Sequence, residues 1–168
     1  MPKDNHIILV TLDTNIPQAL WRDEDNAEVV GQLLALAADG RIDLAITTRI
    51  EYDTPSPPLS DRVGDLAGLG VTTIGAPFTW NVSSWNSGDY WVSEQDIALE
   101  EQIKRTLTEM RMKLPEDTDF AHIFGHRAAE RDIFLTWDKP ILRAASLLHD
   151  ELDVRILQPE DFIANLGE

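Results

Sequence analysis

Short runs of apolar and β-branched residues alternate with stretches of helical periodicity along most of the chain. The strand candidates are Ile7–Leu12, Leu44–Thr47, Val71–Ile74, Ile133–Trp137 and Val154–Leu157. The helix candidates are Ile16–Arg22, Glu28–Ala38, Glu94–Lys113, Asp119–Arg131, Pro140–Leu148 and Pro159–Leu166. Strands that are separated by helices pair in parallel, because each helix crosses over a face of the sheet. The order therefore predicts an α/β fold with a central, mostly parallel sheet and helices on both faces.

Three polar residues are predicted to begin helices. Thr48 and Glu51 have the spacing of a capping box and are expected to open a helical turn after the second strand. Ser93 is expected to cap the helix at 94–113, and Thr118 the helix at 119–131.

Composition and charge exclude several classes of protein. The 168 residues include no cysteine, which excludes disulfide scaffolds, thiolate zinc sites and cysteine nucleophiles. The formal net charge of −16 counts against binding nucleic acid through a broad basic surface. It favours either simple solubility or carboxylates that hold metal ions. No apolar run approaches the ~20 residues of a membrane span, and the first residues lack the pattern of a signal peptide, so we expect a cytoplasmic protein.

Residues 54–92 interrupt the alternation and are predicted to be an insertion in a single domain that spans 1–168. The stretch FTWNVSSWNSGDYW (78–91) holds three of the five tryptophans, at positions 80, 85 and 91. These rings suit base stacking in a single-stranded nucleic acid, burial against a partner protein, or a cover for the domain's own core.

Four acidic residues are predicted to meet at one edge of the sheet. Asp13 directly follows the first strand, and Asp138 follows the fourth. Glu51 lies on the turn after the second strand, and Asp119 lies in the first turn of the helix that leads to the fourth. Open α/β sheets bind their ligands beyond the carboxyl ends of the strands.

Clustered carboxylates repel one another, and each resists losing its proton beside the others. A hard divalent cation such as Mg²⁺ or Mn²⁺ offsets this repulsion and prefers oxygen ligands. Such a centre suits phosphodiester hydrolysis, because it activates water and stabilises charge on an attacked phosphate. Asn15 and Thr136 are placed to hydrogen-bond the carboxylates and hold them in position.

Each acid also has an ordinary structural explanation. Asp13 suits a turn at a strand end, and Glu51 completes the capping box described above. Asp119 is favoured by the positive end of a helix, and Asp138 suits the cap of the helix that follows it.

Three further residues have open assignments. His122 and His126 are four apart on a predicted helix, a spacing that binds metal. A zinc site would need further ligands, and none is evident, so packing or a surface position is favoured. Arg49 is placed either to hold Glu51 or to contact RNA.

The motifs together resemble the PIN domain family. They are LVTLDTNI (9–16), TTRIE (47–51), DTDFAHIFGHRAAE (117–130), IFLTWDKPIL (133–142) and VRILQPEDFIANL (154–166). The resemblance covers roughly 1–53 and 115–166. It implies metal roles for four residues and supporting roles for two: Asp13, Glu51, Asp119 and Asp138, supported by Asn15 and Thr136.

The resemblance implies that the protein has a PIN-like three-layer α/β/α fold and that it is a hydrolase. The expected activity is Mg²⁺- or Mn²⁺-dependent endoribonuclease cleavage of single-stranded RNA, with the protein acting as the toxin of a toxin–antitoxin pair. The expected partners are the RNA, an antitoxin and a second copy in a homodimer. Asp117 competes with Asp119 as a ligand, and Asp53 competes with Glu51.

Two alternatives remain beside the ribonuclease. The first is a catalytically silent PIN-like interaction module whose substrate path is blocked by the long middle segment. The second is another metal phosphohydrolase on a similar sheet. The second is disfavoured because the D-x-D-x-T phosphatase pattern is absent: the chain after Asp13 reads TNIPQ.

Overall fold

A five-stranded sheet, parallel throughout, forms the centre of the protein. The computed structural model describes residues 6–54, 56–57, 59–80, 82–83 and 85–167. The strands are β1 (Ile8–Leu12), β2 (Ile42–Thr47), β3 (Val71–Ile74), β4 (Ile133–Leu135) and β5 (Arg155–Leu157). Their spatial order is β3-β2-β1-β4-β5, so the order reverses between β1 and β4. A reversal of this kind opens the crevice in which parallel sheets bind ligands.

Eight α-helices and one short 3₁₀-helix (Ser60–Arg62) accompany these strands in the described part of the chain. The α-helices are α1 (Asn15–Trp21), α2 (Ala27–Ala38), α3 (Ile50–Asp53), α4 (Asp65–Gly68), α5 (Glu94–Glu109), α6 (Asp117–Ala128), α7 (Lys139–Leu152) and α8 (Pro159–Leu166). The predicted end of α5 at Lys113 is too late. The chain leaves the helix after Glu109, and Arg111 takes a left-handed conformation with φ 55°.

Side chains of the strands alternate between two cores, one on each face of the sheet. Val10 and Leu12 of β1 pack with α1, α2 and α8, whereas Phe134 of β4 and Ile156 of β5 pack with α5, α6 and α7. This alternation follows from the period of two along a strand. The predicted three-layer α/β/α arrangement is therefore confirmed.

Two of the predicted helix starts are wrong. Thr48 does not cap α3, because its hydroxyl donates a hydrogen bond to the Asp89 carboxylate, and the N-cap of α3 is Arg49. Thr118 lies inside α6, whose N-cap is Glu116. The predicted cap at Ser93 is confirmed, since its hydroxyl accepts a bond of 3.0 Å from the Asp96 backbone.

The middle segment contains β3, as predicted, and then a loop whose two ends pair with each other. The backbone nitrogen of Phe78 donates to the carbonyl of Tyr90 at 2.7 Å. Gly75 crosses Gly88 so closely that a Cβ on it would lie 2.1 Å from the Gly88 oxygen, and only glycine fits there. Residues 55, 58, 81 and 84 of the predicted insertion lie outside the described residues, and its boundaries at 54 and 92 stay a prediction.

None of the helices in the described ranges has the length and apolar character that crossing a membrane requires.

Candidate active site

A pocket of about 270 Å³ opens at the carboxyl ends of β1 and β4, where the strand order reverses. Its walls bring together three of the four acids that the sequence singles out, with two further acids. The acidic and amide residues that line it are Asp13, Asn15, Gln18, Asp53, Glu116, Asp119 and Asp138. We call this cavity the acidic pocket.

Asp13 is held in place from several directions. Its backbone nitrogen donates to the carbonyl of Leu135 at 2.9 Å, which ties it to the end of β4. Its carboxylate accepts hydrogen bonds from the Thr14 backbone at 2.8 Å, the Asn15 amide at 3.1 Å and the Thr136 hydroxyl at 2.6 Å. Both expected contacts, from Asn15 and from Thr136, are therefore made to this one carboxylate. Their functional role stays a prediction.

Asp138 stands on the other side of Thr136. Its backbone nitrogen donates to the Thr136 hydroxyl at 2.9 Å. Its Oδ1 accepts from the backbone of Ile141 at 3.0 Å and so caps α7. The capping explanation for Asp138 holds, and the same residue also lines the acidic pocket.

Asp119 reaches the pocket from the first turn of α6. Its Oδ2 accepts from the backbone nitrogen of Glu116 at 2.7 Å. Burial, together with the nearby charges of Asp13 and Asp138, raises the pKa of Asp119 to about 7. Burial also raises the pKa of Asp13. Two of the three acids therefore resist ionisation where they stand.

Asp117, the competitor of Asp119, does not line the acidic pocket. Asp117 is exposed at the first position of α6 and forms an ion pair of 2.8 Å with Lys104. It lines a neighbouring cavity instead of the acidic pocket.

Glu51, the fourth predicted acid, does not join the others. It lines a separate cavity of about 510 Å³, together with Arg49 and Trp85. Asp53, two residues later, lines the acidic pocket. Side chains two apart on a helix point about 200° apart around its axis. Because Ile50 is buried in the core and fixes the rotation of α3, Asp53 and not Glu51 faces the other acids.

His122 supports Asp53 from behind. Its ring is buried in α6, and its Nε2 lies 2.7 Å from the Asp53 carboxylate and 3.1 Å from the Thr14 hydroxyl. The Thr14 hydroxyl also donates to Asp53 at 2.8 Å. The other ring nitrogen of His122, Nδ1, contacts the Thr47 hydroxyl. The sequence signal for this contact was weak: a histidine one turn after the Asp at the start of the helix.

His126 is also buried, but it faces a different threonine. Its Nδ1 lies 2.8 Å from the hydroxyl of Thr11 on β1. Burial, together with the charge of Arg131, lowers the pKa of His126 to about 4. The two histidines therefore pack against the sheet separately, as the packing interpretation expects.

The chemistry of the acidic pocket fits a hydrated divalent cation better than a closed cage. Within the described ranges, no three Asp, Glu, His or Cys side chains are grouped so as to hold one metal ion. The side-chain oxygen of Asn15 is buried without a hydrogen-bond partner among the described residues. Mg²⁺ typically takes one or two carboxylates and keeps several waters. A pocket lined by several carboxylates, with an unpartnered amide oxygen, suits that kind of binding.

No family model and no curated protein matches this chain. Among solved structures, the chain is similar to one in the crystal structure of VapBC2 from Rickettsia felis bound to a DNA fragment from their promoter. The TM-score is 0.56 and the identity 12%, over 90% of this chain and 98% of that one. The fold is PIN-like. At this identity the likeness concerns the fold alone.

Proposed function

We propose that this protein is a metal-dependent endoribonuclease that cleaves phosphodiester bonds in single-stranded RNA. The observation that carries the proposal is the meeting of Asp13, Asp119 and Asp138 in one pocket at the reversal of strand order. Three elements far apart in sequence contribute these acids, and the fold raises the pKa of Asp13 and Asp119. A bound cation offsets both causes of these raised pKa values, the burial of the carboxylates and their mutual repulsion.

Asp13 and Asp138 would hold a Mg²⁺ or Mn²⁺ ion, with Asp119 and Asp53 beside them. A bound ion of this type lowers the pKa of a coordinated water and stabilises charge on an attacked phosphate. Asp53 replaces Glu51 in the proposal, because only Asp53 lines the acidic pocket.

The remaining polar residues position the acids. The Thr136 hydroxyl and the Asn15 amide orient the Asp13 carboxylate, while His122 and Thr14 orient Asp53. Without such supports, carboxylates rotate and a cation site loses affinity. The net charge of −16 means that RNA is engaged locally at the pocket and not across a broad basic surface.

The proposal includes a role as the toxin of a toxin–antitoxin pair. Support comes from the similar solved structure, which holds VapBC2 together with DNA from their promoter. An antitoxin encoded beside this protein and a homodimer are the partners we expect. Co-expression with the product of the neighbouring gene, followed by co-purification, tests the first of these.

The decisive experiment is cleavage of a mixed single-stranded RNA pool by the purified protein. We expect fragments with Mn²⁺, none with a chelator, and none from an Asp13→Asn variant with Mn²⁺. Asp117→Asn is the matched control, since Asp117 lies outside the acidic pocket, and it should cleave like the wild type. Small phosphate esters are tested beside the RNA and should stay intact.

A catalytically silent interaction module is the competing function. The net charge of −16 favours it, because this charge counts against RNA binding across a broad surface. If Mn²⁺ stabilises the protein against heat but the RNA pool stays intact, this second function is correct and the ribonuclease is rejected.

A further inference from the structure

Four aromatic residues of the middle segment form a cluster on the surface, which we call the tryptophan patch: Phe78, Trp80, Trp85 and Trp91. Phe78 lies at its centre, with ring centroids 5.5 Å from Trp80, 5.6 Å from Trp85 and 4.6 Å from Trp91. The three tryptophans are 70%, 74% and 67% exposed. They do not cover the domain's own core, so that explanation is wrong. Contiguous apolar surface of this kind marks interaction sites.

Buried polar contacts hold the segment beneath the patch. The guanidinium of Arg49 is buried, donates to Thr79 at 3.2 Å and to Ser83 at 3.0 Å, and lies 3.4 Å from the Asp89 carboxylate. It also donates to the carbonyl of Pro77. Both earlier assignments for Arg49 are therefore wrong, since it neither holds Glu51 nor reaches the surface.

Asp89 is the residue that pairs with Arg49 beneath the patch. Burial alone would raise its pKa, but hydrogen bonds to it, from Thr48 and the Ala76 backbone among others, and the charge of Arg49 bring the pKa below its usual value. The carboxylate is thus ionised and matched to Arg49. Because this network already fixes the described residues beneath the patch, a partner that binds the patch does not have to order them.

The charge around the patch favours a cationic occupant. No Lys or Arg occurs in the sequence between Arg62 and Lys104, and Arg49, which lies beneath the patch, is buried against Asp89. Trp85 lines a cavity that is also lined by three charged residues, Arg49, Glu51 and Asp89. Tryptophan faces attract Lys and Arg side chains. A single-stranded nucleic acid would need basic residues for its phosphates, and this segment supplies none.

We propose that the tryptophan patch is the docking surface for a protein partner that presents a cationic, partly apolar segment. Arg and Lys side chains of that segment lie over the tryptophan faces, and its apolar side chains cover Phe78. The inference is independent of the proposed nuclease activity, since it concerns a surface distinct from the acidic pocket.

Titration of the full-length protein with a synthetic peptide of Arg, Leu and Ala residues tests the proposal. The indole N–H signals of the five tryptophans report it in ¹⁵N NMR spectra. We expect the signals of Trp80, Trp85 and Trp91 to shift, and those of Trp21 and Trp137 to stay. A peptide with Glu in place of Arg, and an oligouridine, should shift none of the five.

A triple variant separates docking from general attraction to an acidic protein. Trp80→Ala, Trp85→Ala and Trp91→Ala together leave the net charge unchanged and remove only exposed rings. We expect the triple variant to keep its thermal unfolding temperature and to bind the basic peptide at least about tenfold more weakly. Leu69→Ala, which removes a different exposed apolar side chain, is the control and should bind like the wild type.

Two results would overturn the inference. Equal binding of the basic peptide by the triple variant would show that charge alone attracts it. A shift of the three patch indoles by oligouridine and not by the peptide would show that the patch stacks bases.

Discussion

The hydroxyl of Thr136 donates a hydrogen bond of 2.6 Å to the carboxylate of Asp13. The same oxygen accepts from the backbone nitrogen of Asp138 at 2.9 Å. One side chain thereby couples the residues that follow β1 and β4, the two strands between which the sheet order reverses. The spacing of the two acids depends on this threonine.

Replacing Thr136 by valine keeps its shape and removes its hydroxyl. Asp13 then loses a buried donor, so we expect the Mn²⁺ concentration needed for RNA cleavage to rise about 10- to 100-fold. Thr136→Ser keeps the hydroxyl and should stay close to the wild type. A Thr136→Val variant with an unchanged Mn²⁺ requirement would show that the bond does not position the acid.

Replacing each acid of α3 by its amide distinguishes which of the two, Asp53 or Glu51, belongs to the active site. Asp53→Asn should lower cleavage by about tenfold or more, because it alters the acidic pocket. Glu51→Gln should leave the rate within about threefold of the wild type, since Glu51 lines another cavity. The rates are measured at saturating Mn²⁺, and the reverse order of effects would contradict the placement of α3.

Stability without metal should depend on the protonation of Asp119. Its pKa is raised from 3.8 to about 7, so the folded state favours the protonated form. The stabilisation is fully present below the unfolded pKa and is lost as the pH rises through about 7. In a chelator, the wild type should therefore unfold at a lower temperature at pH 8 than at pH 6. Asp119→Asn should remove most of this difference. If the unfolding temperature of the variant changed between pH 6 and pH 8 as much as that of the wild type, the prediction would be wrong.

Because of His126, the free energy of unfolding should decrease as the pH is lowered. Its pKa is lowered from 6.5 to about 4, so the unfolded chain binds a proton that the folded protein excludes. The stabilisation is present above pH 6.5 and is lost as the pH falls through about 4, a change of about 3 kcal/mol.

Urea unfolding of the wild type and of His126→Gln between pH 7 and pH 4 measures this effect as the difference between the two profiles. His149→Gln, at an exposed position of α7, is the control and should follow the wild type. Parallel profiles for the wild type and His126→Gln would show that His126 takes up its proton without unfolding.

The local sequence pattern was sufficient to predict most helices and strands, and to predict that three of the acids lie at one edge of the sheet. Asp13 and Asp138 follow strands, and parallel strands end at one edge, so their approach follows from the order of elements. Asp119 was predicted from its place at the start of a helix. The cap at Thr48 failed because the distant Asp89 accepts the hydrogen bond of its hydroxyl. The cap at Thr118 failed because α6 begins earlier, with Glu116 as its N-cap.

The sequence alone determined the alternation of strands and helices, and with it a parallel α/β sheet with acids beyond two of its strands. Which acid of α3 faces that edge, and whether the tryptophans are buried, was decided only by the tertiary structure. The rotation of a one-turn helix depends on which of its residues packs in the core, here Ile50. The exposure of the tryptophans depends on the Arg49–Asp89 pair, which ties a residue just after β2 to a loop forty residues later. Contacts of this kind leave no periodic signal in the chain.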